Sequence, residues 1–179
     1  MINMAIMTLV WISVLYNYTL IQFMLTTFKR EYLASCFSAI ADIIGYLLGA
    51  WFYYKMGLKQ SLGGSFLVSV CGGLLITALG LKHEGSWLFP VLVIIAKTGV
   101  SVSYQIIYVA HPSLFPVLFA ATALGWVQFI GNVVSLGAVS QAEGVSKPMS
   151  LLTFTFFSAV AGVSLLGIRK GTGSVQDKH

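Results

Sequence analysis

The sequence predicts an all-α integral membrane protein folded as a bundle of six transmembrane helices. Of its 179 residues, 58% are hydrophobic and only 8% are charged, and the mean hydropathy is +0.89. Soluble globular domains carry about 25% charged residues, so this chain has too few charges to cover a water-soluble surface. The apolar residues form six runs, each of about 20–26 residues and therefore long enough to cross a bilayer. Because lipid offers the backbone no hydrogen-bond partners, all six runs are expected to be helical.

The predicted helices end at charged residues or at prolines. They occupy residues 2–27, 32–54, 61–81, 87–110, 115–141 and 149–168. The bundle as a whole takes up 1–170, and a polar C-terminal tail follows at 171–179. The fourth helix is expected to end at Ala110, because Pro112 and Pro116 each remove a backbone N–H and crowd the preceding turn. Since the connections are short, consecutive helices should run antiparallel.

The charge pattern and the histidines exclude several classes of function. The net charge is +5, but the ten Lys and Arg are scattered along the chain, and apart from Lys97 they lie one or two at a time at helix ends, in connecting segments and in the tail. That spread is typical of residues flanking membrane helices and unlike a nucleic-acid-binding face. His83, His111 and His179 lie in separate segments without metal-ligand spacing, and no nucleophile elbow or phosphate loop is present. We therefore expect no enzymatic activity, cofactor, metal or nucleic-acid partner. The expected partners are membrane lipids and other membrane-protein subunits.

Two residues that are charged at neutral pH lie inside predicted helices, Asp42 near the middle of the second and Lys97 near the middle of the fourth. An ionised side chain in the bilayer core costs at least ~2.5–3.5 kcal/mol on insertion scales, so such residues usually face the bundle and pair. An Asp42–Lys97 pair is either a structural contact that sets helix register or a polar substrate or proton site, and the residues alone favour neither. Polar side chains that could join the pair, or simply bond between helices, are Asn17, Tyr18, Gln22, Tyr104, Gln105, Gln128 and Asn132.

Several short segments of the chain carry a family resemblance. They are residues 41–50 with Gly57, then Ala96-Lys97, Gly99, Ile106-Ile107-Tyr108, Leu114-Phe115-Pro116 and Thr122-Ala123-Leu124-Gly125. The first resembles the eighth helix and following loop of major facilitator transporters of the organic cation/anion type, and the others resemble that family's helices ten and eleven. The region of Trp11 and Tyr16 is similar to the start of helix seven. The resemblance implies that the chain corresponds to helices 7–12, the C-terminal half of a twelve-helix transporter.

The chain departs from this family at the positions of the cytoplasmic gate. The family's loop after helix eight reads Asp-Arg-x-Gly-Arg-Arg, where residues 54–59 here read Tyr-Lys-Met-Gly-Leu-Lys. After helix ten the family reads Glu-Leu-x-Pro-Thr-x-x-Arg, where residues 113–120 here read Ser-Leu-Phe-Pro-Val-Leu-Phe-Ala. The degenerate gate positions are Tyr54, Lys55, Leu58, Lys59, Ser113 and Ala120. A charged family position on helix eleven is Asn132 here, whereas Asp42 and Lys97 coincide with a carboxylate and a lysine of the family.

Loss of the gate charges together favours a bundle that no longer moves, since alternating access needs one bundle to rock against another. We therefore expect a transporter-derived protein that has lost transport and serves as an accessory subunit of a larger membrane complex. A respiratory-type complex of the mitochondrial inner membrane is one complex that would fit this expectation. The alternative is a half-size transporter of small organic ions that works as a dimer or with a separate N-terminal half. A third possibility is a fragment of a longer chain. The substrate, compartment and partner are left open.

Overall fold

The computed structural model describes residues 2–26, 31–80, 88–114 and 117–167, and these are helical except at 145–146. The α-helices are α1 (Ile2–Thr26), α2 (Glu31–Leu75), α3 (Leu88–Leu114), α4 (Val117–Gly144) and α5 (Lys147–Ser164). A π-helical turn, Ile76–Gly80, continues α2, and a 3-10 turn, Leu165–Gly167, continues α5. The described ranges contain no strand, and the predicted all-α transmembrane fold is confirmed.

The long helix α2 consists of two segments that meet at Gly57. This glycine has φ 75° and ψ 176°, outside the helical region, in a conformation that is essentially restricted to glycine. The hydroxyl of Ser61 donates to the carbonyl of Phe52 at 2.8 Å. A continuous helix would hold these residues about 13 Å apart along its axis, so the chain turns back here. Residues 55–60 were expected to form a loop; instead the two helical segments meet directly.

The first segment of α2 runs parallel to α3. A Cβ added to Gly45 would lie 2.5 Å from the Cβ of Ser101, and one added to Gly49 would lie 2.9 Å from the Cβ of Gln105. Both pairs advance by one helical turn in the same direction. The absence of side chains at these glycines lets the two backbones approach closely, which is how van der Waals contact holds helices together in lipid.

The second segment of α2 packs against α3 in the opposite direction. A Cβ added to Gly72 would lie 2.6 Å from the Cα of Ala96, and the hydroxyls of Ser65 and Ser103 lie 2.7 Å apart. Residue numbers therefore fall on α2 as they rise on α3. Since the two segments of α2 run opposite ways along α3, they are antiparallel to each other, as predicted for helices 32–54 and 61–81.

The remaining helices surround α1. A Cβ added to Gly131 of α4 would lie 2.5 Å from Cδ1 of Leu15. On α5, Ser158 accepts a hydrogen bond from the amide of Asn17 at 2.8 Å, and a Cβ added to Gly167 would lie 3.1 Å from Cδ1 of Ile6. Hence α5 runs antiparallel to α1. Helix α5 also packs directly on α2, where a Cβ added to Gly73 would lie 2.7 Å from Oγ1 of Thr155, whereas α4 contacts the rest of the bundle mainly through α1.

The end of α3 corrects one sequence prediction. The helix does not stop at Ala110 but continues through Pro112 to Leu114. Membrane helices tolerate proline because local adjustments and neighbouring groups satisfy the backbone around it. His111 Nε2 donates to the carbonyl of Ala120 at 3.2 Å, which ties the last turn of α3 to the first turn of α4. Residues 115–116 lie outside the described ranges.

Four helical stretches are long and apolar enough to cross a membrane: Ala5–Met24, Ser35–Leu79, Val91–Pro112 and Phe119–Gly144. The second stretch has 45 residues and includes the reversal at Gly57. The protein is therefore an integral, multi-pass membrane protein. Helix α5, predicted to cross at 149–168, is not among these stretches, so its crossing stays a prediction. It begins at Lys147, two residues early, with Pro148 in its first turn, where a missing N–H costs nothing.

Candidate functional site

Lys97 of α3 is a fully enclosed cation. Its ammonium nitrogen lies 3.7 Å from Oδ2 of Asp42, and its side chain is 0% exposed. The same nitrogen donates to Oε1 of Gln22 at 2.9 Å and lies 3.7 Å from the centroid of the Tyr18 ring. A carboxylate, an amide oxygen and a ring face thus replace the water that an ammonium group would otherwise require.

Asp42 of α2 is the more accessible member of the pair. Its Oδ1 accepts a hydrogen bond from Ser101 at 2.5 Å, and its Oδ2 accepts one from the hydroxyl of Tyr18 at 3.1 Å. Its side chain remains 18% exposed. The carboxylate is therefore neutralised by Lys97 and held by two hydroxyls, yet one side of it stays open.

Three helices build this cluster from residues one turn apart. Side chains four positions apart lie on one helix face. Each helix contributes one such pair to the cluster, and the hydrogen bonds run between the pairs. The pairs are Tyr18 and Gln22 on α1, Ser38 and Asp42 on α2, and Lys97 and Ser101 on α3. Lys97 lies about 13 Å from the start of α3 and about 25 Å from its end at 1.5 Å per residue. The cluster is therefore inside the bundle but off its centre, towards the start of α3.

A chain of aromatic and amide groups connects this cluster to α4. The rings of Tyr18 and Tyr104 are stacked, with centroids 5.5 Å apart and planes at 25°. The hydroxyl of Tyr104 lies 3.2 Å from that of Tyr108, which in turn accepts a hydrogen bond from Gln128 Nε2. The ring of Tyr46 lies 6.5 Å from that of Tyr104. Tyr104 and Gln128, predicted as site residues, are thus connected to the ion pair through Tyr18 and Tyr108.

Two of the predicted site residues do not join the cluster. Gln105 is half-buried beside Gly49 of α2. Asn132 is exposed on α4, because that helix turns its buried positions, such as Val127 and Gly131, towards α1. A residue directly after an inward-facing one points about 100° away from it around a helix of 3.6 residues per turn. In this structure Asn132 therefore lies apart from the ion pair, and its predicted role in a substrate site stays a prediction.

Sequence reasoning missed four contributors: Ser38, Tyr46, Ser101 and Tyr108. Ser38 and Ser101 stand one turn from Asp42 and Lys97, and that spacing alone could have suggested them. Serine and tyrosine are nevertheless frequent along these helices, so their presence near a charge carries little information without the helix register.

The predicted gate positions lie at one end of the bundle. The parallel register of α2 and α3 brings the turn at Gly57 level with the end of α3. In the described part of this region no ion pair is present: Lys55 Nζ lies 4.5 Å above the ring of Trp51, and Leu58 packs against the core. Tyr54 and Lys59 are exposed, Ala120 is half-buried, and the side chain of Ser113 lies outside the described residues.

A second, uncharged polar cluster joins α1, α2 and α5. The amide of Asn17 donates to Ser158 at 2.8 Å, and the hydroxyls of Ser158 and Ser69 lie 3.2 Å apart. All three side chains are buried. Asn17 Oδ1 has no hydrogen-bond partner among the described residues. This cluster fixes helices to one another and carries no charge.

Comparisons with known proteins point to transporters. No protein-family model matches the chain. Synaptic vesicle 2-related protein of Bos taurus is 24% identical over 158 residues, which cover 84% of this chain and 28% of that protein. Organic cation/carnitine transporter 7 of Arabidopsis thaliana is 24% identical over 130 residues, which cover 70% of this chain and 25% of that protein. The chain thus spans about a quarter of the length of these relatives. Both are transporters of the major facilitator type, and the chain is similar to them.

Proposed function

We propose that this chain is one helical bundle of a membrane transporter for small organic ions and that Asp42 and Lys97 form the centre of its binding site. The observation that carries the proposal is the unequal exposure of the two charges, with Lys97 enclosed and Asp42 18% exposed. A ligand can therefore approach the carboxylate without any helix being displaced, while Lys97, held by Gln22 and the Tyr18 ring, contacts the carboxylate from the enclosed side.

The surroundings of Asp42 support the need for a second bundle. Tyr46 is 37% exposed, and Tyr104 and Gln128 are half-buried, all within helices long enough to cross a membrane. Polar groups facing lipid are costly, so in membrane proteins they usually face other helices or a water-filled cavity.

Ligand binding to the purified protein tests this proposal. The assay is equilibrium dialysis in nanodiscs against a panel of radiolabelled small organic cations and anions. We expect at least one member to bind, and Asp42→Asn and Lys97→Met each to abolish its binding. The matched control is Lys55→Met, which removes an exposed lysine over Trp51 and should leave binding unchanged. A folded wild-type protein that binds no member, or an Asp42→Asn variant that binds as wild type does, would contradict the proposal.

The gate region favours a second candidate function, that of an accessory subunit in a larger membrane complex. The described side chains at 54–59 and 119–120 form no ion pair between helix ends, and the Lys55 ammonium lies over the Trp51 ring. A bundle without charged gate contacts lacks a feature that alternating access in the related family relies on. Native mass measurement of protein purified from its own membrane tests this candidate. Stoichiometric association with other subunits, together with failure to bind any ion of the panel, would support it, and isolation of the chain alone would contradict it.

A further inference from the structure

Helix α4 is the least enclosed of the helices long enough to cross a membrane. In the 18-residue window of α4 that lies within Phe119–Gly144, 22% of the residues are buried, compared with 56% in the corresponding window of α1 and 61% in that of α3. Its inward positions, among them Val127 and Ala138, belong to the core beside α1. The opposite side of α4 faces away from the bundle over the full thickness of the bilayer.

A polar amide lies in the middle of this open side. Asn132 is within two residues of the midpoint of α4, which places it about 3 Å or less from mid-depth along the helix axis. Its side chain is exposed and makes no hydrogen bond with any part of the chain that the structure describes. A primary amide has two donors and an acceptor, and hydrocarbon chains can satisfy none of them. Something polar must therefore meet Asn132 at this depth.

A shallow, open groove borders Asn132 on the same face of α4. An open groove of about 420 Å³ is lined by Thr122, Gly125, Trp126 and Phe129. A Cβ added to Gly125 would meet nothing within 4 Å. Gly125 precedes Asn132 by two turns on the same face, and a small residue at that spacing allows a second helix to approach closely.

We propose that a second copy of this chain docks on α4, with the Asn132 amides of the two copies bonded to each other across a twofold axis. Two copies inserted in the same direction are related by an axis along the membrane normal, so residues at equal depth meet. An amide is both donor and acceptor, and can therefore pair with its own copy, as a twofold contact requires. No residue from Val117 to Ala142 on α4 is charged, so the face offers nothing for an oppositely charged partner.

The interface defined by Asn132 also continues into the ion-pair cluster. Gln128, one turn before Asn132, donates to the hydroxyl of Tyr108, which lies 3.2 Å from that of Tyr104. The Tyr104 ring stacks on Tyr18, which donates to Asp42. This inference rests on the proposed function in one respect: the proposed function requires a second bundle, and the inference identifies that bundle as a second copy of this chain.

Cysteine cross-linking in liposomes tests the contact. The background is Cys36→Ser with Cys71→Ser, because both native thiols are free and exposed. Asn132→Cys should form a disulfide-linked dimer at least about tenfold faster than the matched control Leu67→Cys, which lies at similar depth on α2 and is 67% exposed. Equal rates at the two positions, or no dimer from Asn132→Cys, would overturn the inference.

Single-molecule photobleaching at decreasing protein-to-lipid ratios provides a measurement without any engineered thiol. Wild-type protein should bleach in two steps, and Asn132→Leu should shift the dimer midpoint to about three- to eightfold higher protein density, as expected for one or two interhelical hydrogen bonds. Leu67→Ala should leave the midpoint unchanged. Single-step bleaching of the wild type at every density contradicts the inference.

The two proposals fail separately. A dimer that depends on Asn132 but binds no ion of the panel supports this inference and contradicts the proposed function. A protein that stays monomeric and binds an ion through Asp42 supports the proposed function and contradicts this inference.

Discussion

Replacing Asp42 and Lys97 singly and together should reveal strong energetic coupling between them. Lys97→Met leaves a carboxylate that still accepts hydrogen bonds from Tyr18 and Ser101 and is 18% exposed. Asp42→Asn leaves an ammonium group that is 0% exposed, with only the Gln22 oxygen and the Tyr18 ring beside it. The first variant keeps more of its charge solvated, so we expect it to lose less stability than the second.

The magnitude follows from the cost of leaving one buried charge without its partner, about 3–5 kcal/mol. We expect Asp42→Asn near the upper end of that range and Lys97→Met near the lower end. The double variant removes both charges, and replacing a whole buried pair is often close to neutral. Its loss should therefore be smaller than that of either single variant, which corresponds to a coupling energy of at least about 5 kcal/mol.

The assay is reversible unfolding by sodium dodecyl sulfate in mixed micelles, followed by far-ultraviolet circular dichroism. Lys55→Met is the control, since a surface substitution usually changes stability by less than about 0.5 kcal/mol. If the effects of the two single substitutions add to within about 0.5 kcal/mol, as they do for independent sites, the two side chains do not interact and the reasoning is refuted.

Further predictions concern the glycines and Tyr18, all measured by the same unfolding assay. Gly72→Ala should cost about 1–3 kcal/mol by overpacking, since its Cβ would lie 2.6 Å from the α3 backbone, whereas the control Gly64→Ala, which meets nothing within 4 Å, should be neutral or stabilising; equal effects would contradict the close packing. Gly57→Ala should cost about 1–3 kcal/mol through its φ of 75°, and an unchanged stability would show that the turn adopts another conformation. Tyr18→Phe, which removes the hydroxyl that donates to Asp42 but keeps the ring, should cost about 0.6 kcal/mol, and Tyr18→Leu should cost more because it also removes the ring beneath the ammonium; the opposite order would rule out the ring contact.

The sequence was sufficient to predict the membrane class and the helical runs, because length and hydrophobicity alone decide whether a segment can cross a bilayer. It also predicted that Asp42 and Lys97 would need each other, since an unpaired charge at that depth is costly. Turns were harder. Residues 55–60 contain two lysines and suggested a loop, yet a single glycine conformation reverses the chain. Pro112 suggested a helix end, yet the helix passes through it.

The membership of the site was harder to predict, because it depends on helix rotation. Tyr18, Gln22 and Asn132 were all recognised only as polar residues that could join the pair, although Asn132 also coincides with a charged family position. The apolar character of these helices extends around most of their circumference, so hydrophobic periodicity does not reveal which side faces inward. Ser101 and Ser38 became visible only once the helices were placed side by side.

Chemical labelling of Asp42 in nanodiscs tests the central claim most directly, namely that this carboxylate is paired with a buried lysine and can still be reached by a ligand. A water-soluble carbodiimide is applied with and without the panel of small organic ions, and modified peptides are quantified by mass spectrometry, with exposed Glu143 as the reference. We predict that Asp42 is modified and that at least one ion of the panel slows its modification without affecting Glu143. An unreactive Asp42 beside a reactive Glu143, or modification of Asp42 that no ion slows, would contradict the account.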